Sequence, residues 1–338
     1  GIYIAPVKNT TDNTYSSVTA TVKLTGGTIE NCEAKNSAGT DGNGGAIYID
    51  CNSGTSTFKR ISESGSIGTK IKDCSAIAVG GGIYSGRSKP SDNSSLTLTL
   101  TIGSIQGCTA AGPTEGDNKG RGGALAITGG VTTYVNGSGF EMFDNYAKCY
   151  GGGVQLTGAA SELNFSDGWI GKEHHSNRAI EGAAGVHVTG SATFKMSGGH
   201  LCYNQSDKVG GGIHSSEGCT LSITGGTISG NIAYVQGGGI NINTRCNLEI
   251  PAASTLEMSG NKAGRGGAIM VDGATLTIRA GSYHGNQALD SYTNDNPVNG
   301  IGGAFCLLTN NHSNTYASEF YLYGGSVYEN QADTHGGG

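Results

Sequence analysis

The feature that most constrains this chain is a pair of landmarks that alternate along its whole length. The first landmark is a set of small residues followed by an apolar, any, apolar pattern, as in Ala46-Ile47-Tyr48-Ile49. Self-similarity at a spacing of roughly 20 to 50 residues is typical of solenoid proteins, so we predict one repeat structure over 1–338. The pattern begins ten times, at Gly1, Ala46, Gly82, Ala124, Gly153, Gly185, Gly212, Gly239, Ala268 and Ala304.

The second landmark follows each of the first ones and consists of an apolar residue, usually two more residues, and then Asn or Cys. Amide side chains at one position of successive coils are expected to hydrogen-bond along the axis and to corner backbone groups. We therefore interpret this column as a stabilising ladder in preference to a ligand site. Its members are Cys32, Cys74, Cys108, Asn145, Asn177, Asn204, Asn231, Asn261, Asn286 and Asn330.

The residues between the landmarks alternate between apolar and polar, which is typical of β-strands. In the repeat that starts at Gly212, apolar residues at Ile213, at Leu221 with Ile223, and at Ile228 mark three short strands. Parallel crossovers of this kind are right-handed by default. The sequence therefore predicts an all-β, right-handed parallel β-helix of about ten coils with three short strands per coil.

The composition fits that fold and excludes several others. The chain has 61 Gly but only 5 Pro among 338 residues, so it is not collagen, and Gly suits tight corners between strands. The net charge of -6 without a basic cluster argues against nucleic-acid binding. No apolar run reaches the roughly 18 residues of a membrane-spanning helix.

One outward-facing position of the first strand is the best candidate for a binding surface. It carries Tyr3, Tyr48 and Tyr84 in the first coils, and His187 and His214 on two adjacent later coils. Stacked Tyr rings would either contact carbohydrate or protein, or merely stabilise the sheet. Two imidazoles about 5 Å apart would either bind a metal or form an exposed polar stripe, and we favour the stripe.

The nine cysteines leave several pairings open. Cys32, Cys74 and Cys108 replace Asn in the ladder, where they act as small buried filler, form a disulfide, or bind a metal; a straight column favours filler over a tetrahedral metal site. Cys219 and Cys246 occupy equivalent positions on adjacent coils, about 5 Å apart, which is compatible with a disulfide. This usage favours an oxidising compartment.

No convergent catalytic group is predicted, so we expect a non-enzymatic protein without metal or cofactor. Asp50 and Asp272 share a register, but seven coils, about 34 Å, separate them. Glycoside hydrolysis needs two carboxyl groups within roughly 5 to 9.5 Å.

The paired landmarks resemble the repeats of the chlamydial polymorphic membrane proteins and related bacterial surface β-helix proteins. The motifs that carry the resemblance are Gly44-Gly45-Ala46-Ile47, Gly266-Gly267-Ala268-Ile269 and the apolar-x-x-Asn run from Met258 to Asn261. The resemblance covers essentially the whole chain. It implies a cell-surface or extracellular adhesin of the autotransporter-passenger type.

Function is therefore expected to be that of a rigid extracellular rod, an adhesin or structural fibre that displays loops to a host-surface protein or carbohydrate. The alternative is a secreted polysaccharide-binding or polysaccharide-cleaving β-helix. The chain opens inside a strand at 1–4 and stops at 336–338 before another, which predicts a segment of a longer solenoid with uncapped ends that continues or self-associates end to end. The predicted loop insertions are 5–17, 35–44, 50–57, 85–95, 111–122, 289–301 and 308–318.

Overall fold

The computed structural model describes residues 1–4, 21–24, 26–39, 42–50, 56–59, 68–86, 96–112, 119–290, 299–308 and 316–338. Within these ranges the regular secondary structure is β throughout, and the strands form three parallel sheets that stack coil upon coil. This arrangement confirms the predicted β-helix of about ten coils. The described residues contain no helix that could cross a membrane. Of the predicted loop insertions, 5–17 lies wholly outside the described residues and the others lie partly outside them.

Sheet A is formed by the apolar-x-apolar motif that opens each repeat. The observed strand register matches the predicted alignment of the repeats, since Ile2 pairs with Ile47, Ile47 with Ile83, and Ile83 with Leu125. We number the coils by these strands. They are Ile2–Ile4, Ile47–Asp50, Ile83–Gly86, Leu125–Thr128, Val154–Thr157, Val186–Thr189, Ile213–Ser215, Ile240–Asn243, Ile269–Asp272 and Phe305–Leu308.

Sheet B is the widest of the three because most coils cross it with two consecutive segments. Coils three, four and five cross it with one long strand each, Leu96–Gln106, Val131–Phe143 and Glu162–Ile170. Most coils carry four strand segments in the described residues, against the three that the sequence predicts. The predicted runs at Leu221 with Ile223 and at Ile228 are the two sheet B segments, and the segment that the sequence does not predict is the short strand after the Asn or Cys landmark. The paired segments are Thr21–Lys23 with Thr28–Glu30, Ser56–Lys59 with Lys70–Lys72, Thr193–Met196 with His200–Cys202, Thr220–Ile223 with Thr227–Ser229, Asn247–Ile250 with Glu257–Ser259, Thr275–Ile278 with Ser282–His284, and Glu319–Leu322 with Ser326–Tyr328.

Sheet C is narrow and follows the Asn or Cys landmark of each coil. Most of its strands are only two residues long and end in Ala, whose small side chain suits the tight space at this corner. The strands are Glu33–Ala34, Ser75–Ala76, Thr109–Ala110, Tyr146–Ala147, Arg178–Ala179, Gln205–Ser206, Ile232–Gln236, Lys262–Arg265, Gln287–Ala288 and Gln331–Ala332.

A single apolar core fills the tube along its axis. Its side chains come from the inward positions of sheets A and B, such as Ile240 and Ile242 in sheet A and Phe194 in sheet B, all fully buried. Each coil covers the apolar residues of the next, so burial is continuous. The hydrophobic fraction of 36% is therefore enough for a packed interior.

The Asn column forms the predicted ladder through the core. In each step the side-chain Oδ1 accepts a hydrogen bond from the Nδ2 of the Asn one coil earlier, and in most steps it also accepts one from the backbone N of that Asn. For example, Asn231 Oδ1 accepts from Asn204 N at 3.0 Å and from Asn204 Nδ2 at 2.9 Å. The Nδ2 contact recurs at every step from Asn145 to Asn330. Buried amides are thereby paired, which makes the ladder a stabilising element.

The corner between sheets C and A explains much of the glycine content. A Cβ atom at Gly211 would lie 2.4 Å from the carbonyl oxygen of Gly238 on the next coil, so consecutive coils touch there through bare backbone. Coil six is the exception, because Ala183 and Ala184 stand at this corner and Ala183 adopts a φ of 50°. Close approach between coils therefore favours glycine here, and one coil tolerates alanine.

Candidate functional site

The outward column of sheet A is the most distinctive surface of the rod. It contains one residue per coil, in register across the whole sheet. From coil three onward these side chains are buried although they face away from the core. The column reads Tyr3, Tyr48, Tyr84, Ala126, Gln155, His187, His214, Asn241, Met270 and Cys306.

A second row of residues covers this column from one side. The row lies four residues before the start of each sheet A strand and is joined coil to coil by isolated parallel bridges, such as Val79 with Arg121 and Tyr150 with Gly182. The Arg121 guanidinium carbon lies 5.2 Å from the centroid of the Tyr150 ring. That ring stacks on His187 with centroids 4.5 Å apart. The row therefore forms a wall beside the column.

The wall and the sheet enclose a cavity of about 570 Å³ that spans coils three to seven. We call it the sheet A groove. Ala126, Gln155, His187 and His214 form its floor, and Tyr84 closes one end. The wall side consists of Val79, Arg121 and Tyr150, and the opposite side consists of Thr128, Thr157, Thr189, Ser216 and Glu217.

The two predicted histidines lie in this groove, stacked on each other. Their rings are parallel within 4° and their centroids are 5.3 Å apart. His187 Nδ1 contacts Gln155 Oε1 at 2.7 Å, and His214 Nδ1 contacts Asn241 Oδ1 at 3.2 Å. Because an amide oxygen only accepts, each Nδ1 is the donor in these pairs. Each neutral ring then presents an acceptor at Nε2.

Both imidazoles are held neutral by their surroundings. Burial lowers the pKa of His187 well below its usual value, and the neighbouring His214 and Arg121 charges lower it further. Burial also lowers the pKa of His214 to about 4, although its hydrogen bond to Asn241 acts in the opposite direction. The prediction that the two histidines form an exposed polar stripe is wrong. They are only 4% and 8% exposed, because Tyr150 of the wall covers them.

We expect acid to destabilise the folded protein between about pH 6.5 and pH 4. In that range the unfolded chain protonates its histidines while the folded chain keeps His214 neutral, so the free energy of unfolding falls as pH falls. The loss from His214 is on the order of 2 to 3 kcal/mol. Urea unfolding at pH 7 and pH 4.5 measures this loss of stability. The variant His214→Asn introduces the residue that coil eight carries at this position, and we expect it to reduce the difference in unfolding free energy between the two pH values. An equal pH dependence in both proteins would contradict the assignment.

Two buried donors in the groove lack partners. Gln155 Nε2 and Arg121 Nε are both buried without a hydrogen bond, and Gln155 is only 2% exposed. Leaving a buried polar group unpaired costs roughly 1 to 3 kcal/mol. The two donors therefore favour a ligand that supplies acceptor oxygens, and Asn43 Oδ1, a buried acceptor in the same lining, is unpaired as well.

The Tyr column stacks as a continuous set of rings. Tyr3 and Tyr48 lie with ring centroids 5.1 Å apart, and Tyr48 and Tyr84 lie 4.9 Å apart. Exposure decreases along it, from 74% at Tyr3 to 9% at Tyr84. The stack thus leads along sheet A to the end of the groove.

The cysteines of the described residues are free thiols. Cys74 and Cys108 are buried in the ladder column, whereas Cys32 is partly exposed. Cys219 and Cys246 lie on adjacent coils, and Cys219 N donates to Cys246 Sγ at 3.3 Å. In the described part of the chain, no group of three or more His, Cys, Asp or Glu side chains is placed to hold a metal ion.

Carboxylates do not converge in the groove. Asp50 and Asp272 end the sheet A strands of coils two and nine, with six strands between theirs in the sheet order. Asp50 Oδ2 instead accepts from Tyr48 Oη at 3.3 Å. Among the described residues that line the groove, Glu217 is the one acidic side chain, and its Oε2 accepts from Thr189 Oγ1 at 2.7 Å.

Sequence reasoning missed the wall, although a signal for it exists. A fixed offset identifies the column, because each of its members stands three residues before the small residue that opens a repeat, as do Val79, Arg121, Tyr150, Gln236 and Arg265. What the offset does not indicate is that Tyr150 leans over His187. That contact turns an outward row of side chains into the floor of a groove.

Three parallel sheets around one core, with an asparagine ladder along it, define a parallel β-helix repeat protein. Comparison of the chain with protein-family models, with curated proteins and with solved structures gave no match. The class of protein is therefore assigned from strand register, core and ladder.

Proposed function

We propose that this chain is a non-enzymatic rod of the cell surface or extracellular space that binds its partner through the sheet A groove. The observation that carries the proposal is a polar groove of about 570 Å³ with a single carboxylate among its described lining residues. Such a groove offers hydrogen bonds and ring faces for binding, whereas acid–base cleavage of a glycoside needs two carboxyl groups.

The rod itself suits a display or adhesive role. Its continuous core and ladder couple every coil to its neighbours, so the groove has a rigid floor that is formed before the ligand arrives. The resemblance of its landmarks to surface β-helix adhesins supports the same role. A host-surface protein or carbohydrate is then the partner.

The second candidate is a secreted polysaccharide-binding or polysaccharide-cleaving protein. It is favoured by the side of the groove that carries Thr128, Thr157, Thr189 and Ser216, because a row of hydroxyl groups matches the hydrogen-bonding pattern of sugars. Glu217 is the residue on which cleavage would depend.

One experiment separates binding from cleavage. The protein is incubated with a panel of neutral and acidic polysaccharides, with and without Ca²⁺, and both retention on the polysaccharide and release of reducing or unsaturated ends are measured. We expect retention without release, unchanged by Glu217→Gln. Release of ends that Glu217→Gln abolishes would establish the enzyme instead.

A further inference from the structure

The floor of the groove has a notch at Ala126, where the column of large side chains is interrupted. Tyr84 precedes Ala126 in the register and Gln155 follows it. Resting on the proposed binding function, we propose that this notch binds one carboxylated sugar ring, such as a uronic acid residue of an acidic polysaccharide. The bound ring takes the place of the side chain that Ala126 lacks.

The spacing of the coils sets the size of the notch. Neighbouring positions of the column are one strand spacing apart, about 4.8 Å, so the backbones that carry Tyr84 and Gln155 are about 10 Å apart. Ala126, which is 2% exposed, contributes only a methyl group at the level between them. A single ring stacked on Tyr84 at the distance that separates Tyr48 and Tyr84, 4.9 Å, occupies the level of the missing side chain.

Tyr84 offers a ring face toward this notch. One face of its ring is covered by Tyr48, and among the described residues no aromatic ring stacks on the other. The ring is 9% exposed and lines the cavity, so it is fixed by its neighbours before a ligand binds. Rigid aromatic faces bind flat ligands at low entropic cost.

The charges around the notch favour an anionic ligand. Arg121 lies on the wall beside Ala126, and its Nε is buried without a hydrogen bond. Gln155 Nε2, the next donor along the floor, is also unpaired. A carboxylate supplies acceptors to both, and its bond to a guanidinium is of the stronger, charge-assisted kind.

Among the residues that line the groove, no other charge competes for that role. Burial and the Asp50 carboxylate raise the pKa of Tyr84, but Asp50 lies one coil before Tyr84, on the side away from the notch. Glu217 lies on the side opposite Arg121, past the end of its sheet A strand, and its carboxylate is bonded to Thr189 on coil six. His187 and His214 remain uncharged at neutral pH because burial lowers their pKa values. Arg121 is therefore the charged group at the notch, and the ligand's anionic group faces the wall.

The test compares an acidic oligosaccharide with its neutral counterpart by titration calorimetry at pH 7. The probes are trigalacturonate and the same trisaccharide with its carboxyl groups reduced to alcohols. We expect trigalacturonate to bind about 10- to 100-fold more tightly, which corresponds to one charge-assisted hydrogen-bonded contact. Arg121→Gln should abolish this preference.

The notch itself is tested by filling it. Ala126→Tyr extends the Tyr column by one ring, so binding of trigalacturonate should fall at least about tenfold, whereas Ala126→Ser keeps the notch open and should bind like the parent. An unfolding midpoint for each variant shows that it is folded. If Ala126→Tyr fails to fold, the loss of preference in Arg121→Gln decides the proposal.

The outcomes separate this inference from the proposed function. Equal binding of both probes, or unchanged binding in a folded Ala126→Tyr variant, overturns the notch and leaves a non-enzymatic rod. Binding of other polysaccharides without binding of trigalacturonate also overturns it. Cleavage of trigalacturonate would overturn the non-enzymatic function while leaving the notch as its subsite.

Discussion

Replacing Asn231 with Ala should lower the free energy of unfolding by about 3 to 5 kcal/mol. Asn231 sits in the middle of the ladder and is fully buried. Its Oδ1 accepts from Asn204 N and Asn204 Nδ2, and its Nδ2 donates to Leu201 O at 2.9 Å and to Asn261 Oδ1 at 3.0 Å. Alanine leaves two buried donors on Asn204 and the Leu201 carbonyl without these partners, and each such loss costs roughly 1 to 3 kcal/mol. Equilibrium unfolding in guanidinium chloride measures the change.

The matched control is Asn330→Ala at the last step of the same ladder. Asn330 makes the same contacts to the preceding coil, accepting from Asn286 N and Asn286 Nδ2 and donating to Tyr283 O, and its Nδ2 donates to Tyr328 O where Asn231 donates to a following Asn. It is only half-buried, so water replaces much of what it provides, and we expect a loss of about 1 kcal/mol. If the two variants lose equal stability, burial of the ladder is not the source of its contribution.

The β-helix and its ladder could be predicted from the sequence because both depend on a fixed spacing. The alternation Ile240-Asn241-Ile242 specifies which side chains enter the core, and the landmark at Asn231 recurs at one position of each later coil. A parallel stack repeats these local choices, so register follows from alignment of the repeats. The short strand after the landmark, such as Gln205–Ser206, is not predicted, because two residues are too few to show alternation.

The groove could not be predicted in the same way because it depends on side-chain contacts between columns. Alternation places His187 and His214 outside the core, which is correct, but burial outside the core requires a neighbour that covers them. Tyr150 provides that cover partly because coil six has Gly182 at the equivalent position, where a Cβ would lie 3.3 Å from Cε1 of the Tyr150 ring. This cover depends on one bulky residue beside one glycine, so it is not part of the repeat pattern that the sequence shows.

Interruption of a column also carries information that periodicity hides. Ala126 stands at the unconstrained position between the two apolar residues of its coil and therefore attracts no notice in the sequence. Only the register beside Tyr84 and Gln155 shows that a large side chain is missing at its level. The candidate site of the rod therefore lies where one coil departs from the repeat pattern.

Replacing Phe194 with Ala should also lower the free energy of unfolding by about 4 kcal/mol. Phe194 is fully buried in the core of sheet B, in register with Leu163 on one side and Leu221 on the other. Removing the ring leaves a cavity between coils that cannot collapse, because the paired strands above and below hold its walls apart. The control is Phe194→Leu, which introduces the residue that both neighbouring coils carry, and we expect it to cost about 1 kcal/mol. Guanidinium unfolding compares the two variants; an equal loss would show that the site tolerates no change of shape, whereas a negligible loss in Phe194→Ala would mean that the coils collapse onto the vacated space.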